Sequence, residues 1–552
     1  MGKKRRAAAV LTAAMAMAFV VSGCGAREEA APKGESGQTK EAGDTKTEAA
    51  GNQTTYGSKQ FDNVTLTVEL FDRSNAPQGT TVTDNRWVKY AKEEMAKVGI
   101  NLEFVAVPRS EEVTKIQTMM AAGTAPDIAL TYTRSIAEDY FNQGGTYDLS
   151  SYVDGEGQAE NLKAYLGEDV LNVARDGDGQ LWAIAARRAT AAKDNLFIRK
   201  DWLGKLGMEI PTTTDELYQV LKAFKENNPD GRTDVIPFFS VAIGDETADR
   251  ADVMAMPFMT TLPDEHEFNI KSVFPVYGDE GYADYLRFLN KLYNEELLDQ
   301  EYYTSNDLSA TLAEYVVNGQ AGCFVTNVNG NVDNLRGGLL QHLKVNNPDA
   351  DIVSLPPLKN NHDGEIYNIE YAQNGAYCIV PKTCKNPEAA VTYMDWMATQ
   401  EGGFTLFHGF EDEHYKLEDG VPVVIDADFN AVDKDWIRHD MFIIGNQGYF
   451  FSEDDFVKSA SKEIPGFEDY VVSNYENATT GIIRHMSAYS APTQSANVSE
   501  IQLAADEYLV KCITCKPEEF DSMLEAYKSA LGNAGMEAVI RERTEYYDAL
   551  DK

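Results

Sequence analysis

Alternation of apolar and polar positions first becomes regular at Val64-Thr-Leu-Thr-Val-Glu-Leu70, and a period of two predicts a strand. Phe71 to Pro77 reads as a loop. From about Asp84 to Val98 the apolar residues recur at helical spacing, with Asp84 as cap and Gly99 as stop. Asn101 to Val107 predicts a second strand. A second helix starts near Ser110, where Glu111 and Glu112 suit the positive end of the helix dipole. Gly123-Thr-Ala-Pro-Asp-Ile-Ala-Leu130 ends that helix and leads into a third, apolar strand. Crossovers of this length between strands imply a parallel sheet in an α/β lobe.

Further along, Leu196 to Arg199 predicts a strand, and Asp201 opens a helix that carries Trp202, Leu203 and Leu206 up to Gly207. Threonines 212 to 214 precede Asp215 and Glu216, a cap and an acidic first turn for a helix reaching about Lys225. Its Leu217, Val220, Leu221 and Phe224 share one face and are expected in the core. Pro387 starts a helix with Val391, Met394 and Trp396 near one face. Trp202 and Trp396 read as packing residues.

Composition narrows the function classes. The 552 residues are 43% hydrophobic, enough apolar mass for two large domains. Acidic residues number 88 against 49 basic ones, for a net charge of −39, which repels nucleic-acid phosphates. Ala7 to Val21 is the one run apolar enough to enter a bilayer, and it is short of the ~20 residues that a span needs. With Cys24 set aside for the reason given below, five cysteines remain, an odd number that does not make a disulfide scaffold. Cys512-x-x-Cys515 has neither a second close pair nor a histidine pair to complete a zinc site. The motifs HExxH, GxSxG and GxxxxGK[ST] are missing, and no cofactor is implied.

The amino terminus joins a basic cluster, Lys3 to Arg6, to the run Ala7–Val21 and then small residues, the pattern of a secretory signal. Val21-Ser22-Gly23-Cys24 resembles a bacterial lipobox. The resemblance implies a lipoprotein signal peptide over residues 1–23, cleavage after Gly23 and a diacylglyceryl group on Cys24. Two acyl chains anchor stably because each buried CH₂ contributes about 0.8 kcal/mol. Residues 24–60 are rich in Ala, Gly, Glu, Lys, Thr and Gln and cannot bury enough surface to offset ordering. They are expected to form a tether on the outer face of a bacterial cell membrane.

Six blocks of the body, in this order, resemble extracellular solute-binding proteins of ABC importers, in the large carbohydrate-binding branch. They are Gly123–Ile128 (GTAPDI), Gly179–Phe224, Leu289–Tyr303, Val317–Val325, Lys385–Gly402 and His408–Gly420. The resemblance implies an α/β, two-lobed periplasmic-binding-protein-like fold of type II, with discontinuous lobes joined by hinges. Lobe one is expected over 61–186 plus 358–405, and lobe two over 187–357 plus 406–552. Crossings are expected near 185–194, 354–359 and 401–420. It further implies a monomer without catalytic activity that takes a carbohydrate between the lobes and passes it to the transmembrane permease. A cell-surface glycoside hydrolase, or the same fold binding peptides, stays open as an alternative.

Ligands of such folds sit where the carboxyl ends of the strands converge. Arg73 and Asn75 follow the first strand, and Tyr132 follows the third. Arg73 is a fork of donors for hydroxyls or a carboxylate, or else a partner for one of the many acids. Arg187 and Arg188 are adjacent on the first crossing, and in extended chain only one can face the cleft. Arg188 is the choice, with Asn195 as companion. The arginines lean toward a uronate-bearing oligosaccharide. Asn327 and Asn329 can donate and accept, as hydroxyls require, or simply form the turn before Gly330. Tyr371 and Trp436 are stacking platforms or core residues. Some relatives hold calcium in a loop after the helix ending near Phe224. Here Asn228 to Pro237 is about two residues shorter and carries Val235 in place of the later acid, so Asp230 and Asp234 do not make a metal site.

Overall fold

The computed structural model describes residues 59–241, 253–272, 274–305, 307–332, 338–485 and 489–550. The signal-like segment, Cys24 and nearly all of the tether lie outside the described residues.

Strand β1 (Val64–Asp72) pairs in parallel with β2 (Ile100–Pro108), Val64 opposite Ile100. The helix Arg86–Ala96 connects them and buries Trp87, Val88, Ala91 and Met95 at helical spacing. Its cap is Asn85 rather than Asp84. The Asn85 side-chain oxygen accepts from the amides of Trp87 and Val88 at 2.9 and 3.0 Å, a reach that the exposed Asp84 does not have. Ile128 bridges to the other edge of β1 and leads into β3 (Ala129–Thr131). β4 (Ile184–Arg188) ends the first pass through this lobe.

Past residues 189–193 the chain builds a second lobe. β5 (Asp194–Arg199), β6 (Ile236–Ser240), β7 (Ala321–Asn327) and β8 (Ile352–Ser354) form a sheet in the order β6-β7-β5-β8. β9 (Tyr367–Glu370) still belongs to this lobe, with Tyr367 and Ile369 in its core. The chain then re-enters the first lobe with β10 (Asn374–Ile379) and β13 (Gly445–Asn446), between which lies the hairpin β11 (Tyr415–Glu418) and β12 (Val421–Val424). β14 (Ile482–His485) returns to pair in parallel with β9.

The sheet β13-β4-β10-β3 is mixed, because β10 enters from the hinge and runs antiparallel to both β3 and β4. The expected all-parallel sheet therefore holds only for β1, β2 and the approach to β3. Two hydrophobic cores share no residue. One gathers Leu66, Val68, Trp87, Trp182, Tyr377 and Trp396. The other gathers Phe197, Trp202, Phe224, Phe238, Phe239 and Tyr475. Trp202 and Trp396 are fully buried, each in its own lobe.

The first crossing falls at 189–193. The second and third fall later, at 371–373 and 450–452. Residues 358–370 stay with the second core through Leu358, Tyr367 and Ile369. Residues 406–449 send Leu406, Phe407, Trp436, Ile437 and Tyr449 into the first. Apolar spacing marks such residues as buried without telling which core receives them. The crossings hydrogen-bond to one another: the Arg188 amide donates to the Gln373 carbonyl at 2.9 Å, and the Tyr371 amide to the Ala191 carbonyl at 2.8 Å. The Thr190 hydroxyl donates to Glu453, at the start of the helix after the third crossing.

A buried carboxyl lies under the first lobe's sheet end. Glu69 of β1 is fully buried, and burial raises its pKa to about 8, partly offset by the Leu130 amide that it accepts and reinforced by Glu112. The unfolded chain titrates near 4.3. Between those values the folded state holds a proton that the unfolded state has lost, so stability falls as pH rises through the window. Glu69→Gln should therefore gain stability on wild type by a few kcal/mol at pH 8 and by little at pH 5. Urea unfolding at the two pH values checks this; a gain that is equal at both would refute the assignment.

Candidate functional site

The carboxyl ends of β1 and β3, together with β13, meet beside the crossings. Ser74 turns the chain just after β1 with its amide on the Asp72 carboxylate at 2.8 Å, and this aims Arg73 at the helix Arg438–Met441. The Arg73 guanidinium forms a two-pronged pair with Asp440, Nε–Oδ2 at 2.9 Å and Nη2–Oδ1 at 2.9 Å. The Asp440 side chain is only 3% exposed, whereas Arg73 keeps 39%. Asn75 donates to the Trp436 carbonyl at 3.1 Å. Of the two readings of Arg73, the acid partner is present, and the side chain still lines a cavity.

That cavity, of about 370 Å³, is lined by Arg73, Asn75, Tyr132, Trp436, His439, Asp440 and Asn446, among others. Four residues singled out from sequence thus meet in one place. His439 is neutral here: burial pushes its pKa down to about 3, and Arg438 and Arg73 add to the effect. Cavities of about 420 and 430 Å³ lie elsewhere, one beside Gly123 at the amino end of β3 and one around Asp279.

Tyr132 is held from behind. Its amide donates to Glu112 at 2.9 Å, and Glu112 pairs with Arg109 at 2.8 Å. The Arg109 guanidinium lies 4.4 Å from the centre of the Tyr132 ring and 5.2 Å from that of Phe71. Sequence reasoning missed Arg109, although it stands directly after β2, in the position that drew attention to Arg73 and Tyr132.

Arg187 and Arg188 diverge, as alternation along β4 requires. Arg187 donates to the carbonyls of Tyr165 and Phe451 at 2.6 and 3.0 Å. Arg188 donates through Nε to the Asn374 carbonyl at 3.0 Å and through Nη1 to Asn446 Oδ1 at 3.2 Å. Asn446 in turn donates to the Tyr132 hydroxyl at 3.3 Å, so Arg188 and the cavity wall belong to one network. Gly375 makes room for it, since a Cβ there would meet Asn446 at 2.8 Å. Arg188 also lies 4.4 Å from the centre of the Tyr371 ring, with Lys193 at 5.8 Å from the same ring. Burial lowers the Arg188 pKa, with Tyr371 and Tyr132 acting the other way. Among the described residues no carboxylate pairs with it. Asn446 carried no signal in the sequence because a two-residue strand shows no period.

The second-lobe asparagines are already engaged. Asn195 is 1% exposed and donates to the Asn474 carbonyl at 2.7 Å. Asn327 donates to the Lys193 carbonyl at 2.8 Å, and Asn329 to the Tyr475 hydroxyl at 2.9 Å. They brace the edge of β5 and the β7 turn rather than lining the cavity. In the loop compared above with a calcium site, Asp230 accepts from Arg199 at 2.9 Å and from Lys205, and Asp234 from Arg232 at 2.7 Å. Cations of the chain itself thus satisfy both acids. Among the described residues no group of three or more His, Cys, Asp or Glu is placed to hold a metal ion. The described cysteines, Cys512 and Cys515 included, are free thiols.

Comparison with known proteins gives this geometry a family. The model described as bacterial extracellular solute-binding protein matches residues 79–404. The chain is 23% identical over 460 residues to the polygalacturonan/rhamnogalacturonan-binding protein YtcQ of Bacillus subtilis (strain 168), covering 80% of this chain and 85% of that one. It is 24% identical over 331 residues to lipoprotein LipO of the same organism, covering 58% of this chain and 63% of LipO. Among solved structures, the alginate-binding protein AlgQ2 without calcium ion aligns with a TM-score of 0.62 at 18% identity, covering 90% of this chain and 99% of that one. The S. pneumoniae substrate-binding protein FusA in complex with kestose aligns with a TM-score of 0.61 at 17% identity, covering 88% and 99%. The two-lobed, type II periplasmic-binding-protein-like fold is common to them.

Proposed function

We propose that this chain, which belongs to the bacterial extracellular solute-binding protein family, captures an acidic oligosaccharide between its two lobes and delivers it to a membrane ABC permease. The observation that carries the acidic part is Arg188, a half-buried cation on the first crossing with no carboxylate partner among the described residues, networked to the cavity wall through Asn446. Arg73 differs, since Asp440 already neutralises it. A sugar carboxylate would supply the missing charge-assisted partner, and the remaining polar groups suit hydroxyls. YtcQ, by its name, binds polygalacturonan and rhamnogalacturonan, and AlgQ2 binds alginate; both lend support to this reading.

Delivery works by hinge closure. Three short crossings join the lobes, so ligand contacts from both sides favour a closed form that the permease would recognise. Anchoring through a lipid on Cys24 completes the proposal, supported by the lipobox and by the lipoprotein LipO among the relatives. No helix among the described residues is long and apolar enough to cross a membrane.

The test is a thermal shift of the body from Phe61 onward against galacturonate oligomers, neutral oligosaccharides and peptides. A ligand at a thousand times its Kd adds about 4 kcal/mol of stability. Acidic sugars should give the largest shift and be recovered unchanged after incubation. A shift with neutral sugars alone would return Arg188 to a structural role. A shift with peptides alone would overturn the substrate class, and conversion of the sugar would overturn the transport role.

A further inference from the structure

The polar side chains around the cavity of about 370 Å³ divide into those already bonded to the protein and those that are not. Arg73 and Asp440 hold each other, Asn75 donates to the Trp436 carbonyl, and Asn446 links Arg188 to the Tyr132 hydroxyl. Asp435 is taken by Lys434 and by Arg438, the latter at 3.1 Å. Gln447 and His439 remain. Both line the cavity and both are half-buried. The Gln447 Oε1 is shut off from solvent and accepts from no described residue, and its Nε2 donates to none. No hydrogen bond joins either ring nitrogen of His439 to a described residue, and Phe407 meets that ring edge-on at 5.2 Å.

Leaving a buried amide oxygen unpaired costs stability, and position 447 adds a second cost. Its φ is +70°, in the left-handed region that L side chains rarely adopt. Glycine would take that φ freely, and glycines stand two residues before and one residue after. Those two serve another purpose. A Cβ at Gly445 would meet the Phe442 ring at 2.1 Å, and one at Gly448 the Phe450 ring at 2.7 Å, while neither glycine has a positive φ. The chain thus spends glycine on room to either side and keeps a long amide where the backbone favours glycine. Ser74, next to Arg73, is also left-handed at +58°, so two strained turns border one cavity.

We infer that Gln447 and His439 are the hydroxyl-reading contacts of this cavity, a role that rests on the carbohydrate reading above. A carboxamide carries a donor and an acceptor at its tip, and half a turn about its last bond exchanges them. A neutral imidazole donates from one nitrogen and accepts at the other, and His439 is neutral. A sugar hydroxyl both donates and accepts, so sugar hydroxyls supply what the protein leaves open at these two side chains. Such hydroxyls are common to acidic and neutral sugars. Gln447 and His439 therefore select for a sugar ring, whereas Arg188 selects for its charge.

Calorimetry with a galacturonate oligomer and a galactose oligomer of equal length tests this on wild type, Gln447→Ala, Gln447→Gly and His439→Phe. Loss of one neutral hydrogen bond corresponds to about tenfold in affinity. Each variant should weaken every sugar that wild type binds by that factor, equally for the acidic and the neutral oligomer. Gln447→Gly should also melt no lower than wild type, because the left-handed φ costs glycine nothing. Unchanged affinity in both Gln447 variants, or in His439→Phe, would overturn the inference. A loss confined to Gln447→Gly would overturn it too, by marking loop geometry rather than the carboxamide. So would a loss confined to the acidic oligomer when wild type binds both. A lower melting midpoint in Gln447→Gly would make the side chain a structural brace. Wild-type binding of the galactose oligomer alone would remove the acidic part of the reading, and the same losses on that sugar would still support the pair. Failure of wild type to bind either sugar would overturn the carbohydrate reading and the pair with it.

Discussion

Alanine in place of Arg199 is expected to destabilise the second lobe by about 4 kcal/mol. Arg199 ends β5, is fully buried, and stacks 4.4 Å from the centre of the Trp202 ring. Its Nε and Nη2 donate to the two oxygens of Asp201 at 2.7 Å each, and Nη2 also reaches Asp230 at 2.9 Å. Removing it leaves two carboxylates, 8% and 12% exposed, with only the more open Lys205 between them and a charge imbalance. Removing a carboxylate as well should recover much of the loss, so Arg199→Met with Asp230→Asn is expected to be clearly more stable than Arg199→Ala. Burial works against the charged form of Asp230, but Lys205 and Arg199, which donate to it, hold its pKa below the usual carboxylate value. Its stabilisation is thus present above about pH 4 and lost as pH falls through the lowered value. Denaturant titration of the variants measures the effect, and a loss under about 1 kcal/mol would show that the cluster is not what holds the loop. Since Arg199 and Lys205 occupy Asp230, millimolar calcium should leave the wild-type melting midpoint unchanged.

Arg188→Ala should weaken an acidic oligosaccharide by about a hundredfold, the value of a charge-assisted hydrogen bond of 2–3 kcal/mol. A matched neutral sugar should change by no more than about threefold. Arg188→Lys should not rescue the acidic ligand, because an ammonium cannot span Asn374, Asn446 and a carboxylate with one planar fork. Calorimetry on both sugars with each variant separates the outcomes. Equal weakening of the two would make Arg188 a brace for Asn446 and Tyr132 rather than a carboxylate receptor. No weakening would remove it from the site.

The candidate residues divide by the kind of signal behind them. Arg73, Asn75 and Tyr132 were found from a topological rule, that parallel strands present ligand contacts at their carboxyl ends, and the cavity does lie there. The same rule covers Arg109, directly after β2. Asn195, Asn327 and Asn329 were chosen for side-chain chemistry alone, and each is spent on a neighbour that sequence cannot place, namely Asn474, Lys193 and Tyr475. Trp436 was offered both as a platform and as core, and it is 8% exposed while contributing to the cavity wall.

Local interactions determined what was legible. Period-two and helical spacing located β1, β2 and the helix that buries Leu217, Val220, Leu221 and Phe224, because those patterns record which side of an element meets water. Residue types at element ends located Thr213, whose hydroxyl caps its helix by accepting from the Glu216 amide. The family blocks carried the two-lobed fold and its class of function. Tertiary structure alone decided which core each late segment joins, and hence that the chain crosses at 371–373 and 450–452. It also decided that Arg73 faces Asp440 across 367 residues while Arg188 has no such acid. Burial is written into a sequence one residue at a time, but a partner is not: in a chain with 88 acids, which carboxylate neutralises which arginine depends on the path of the whole backbone.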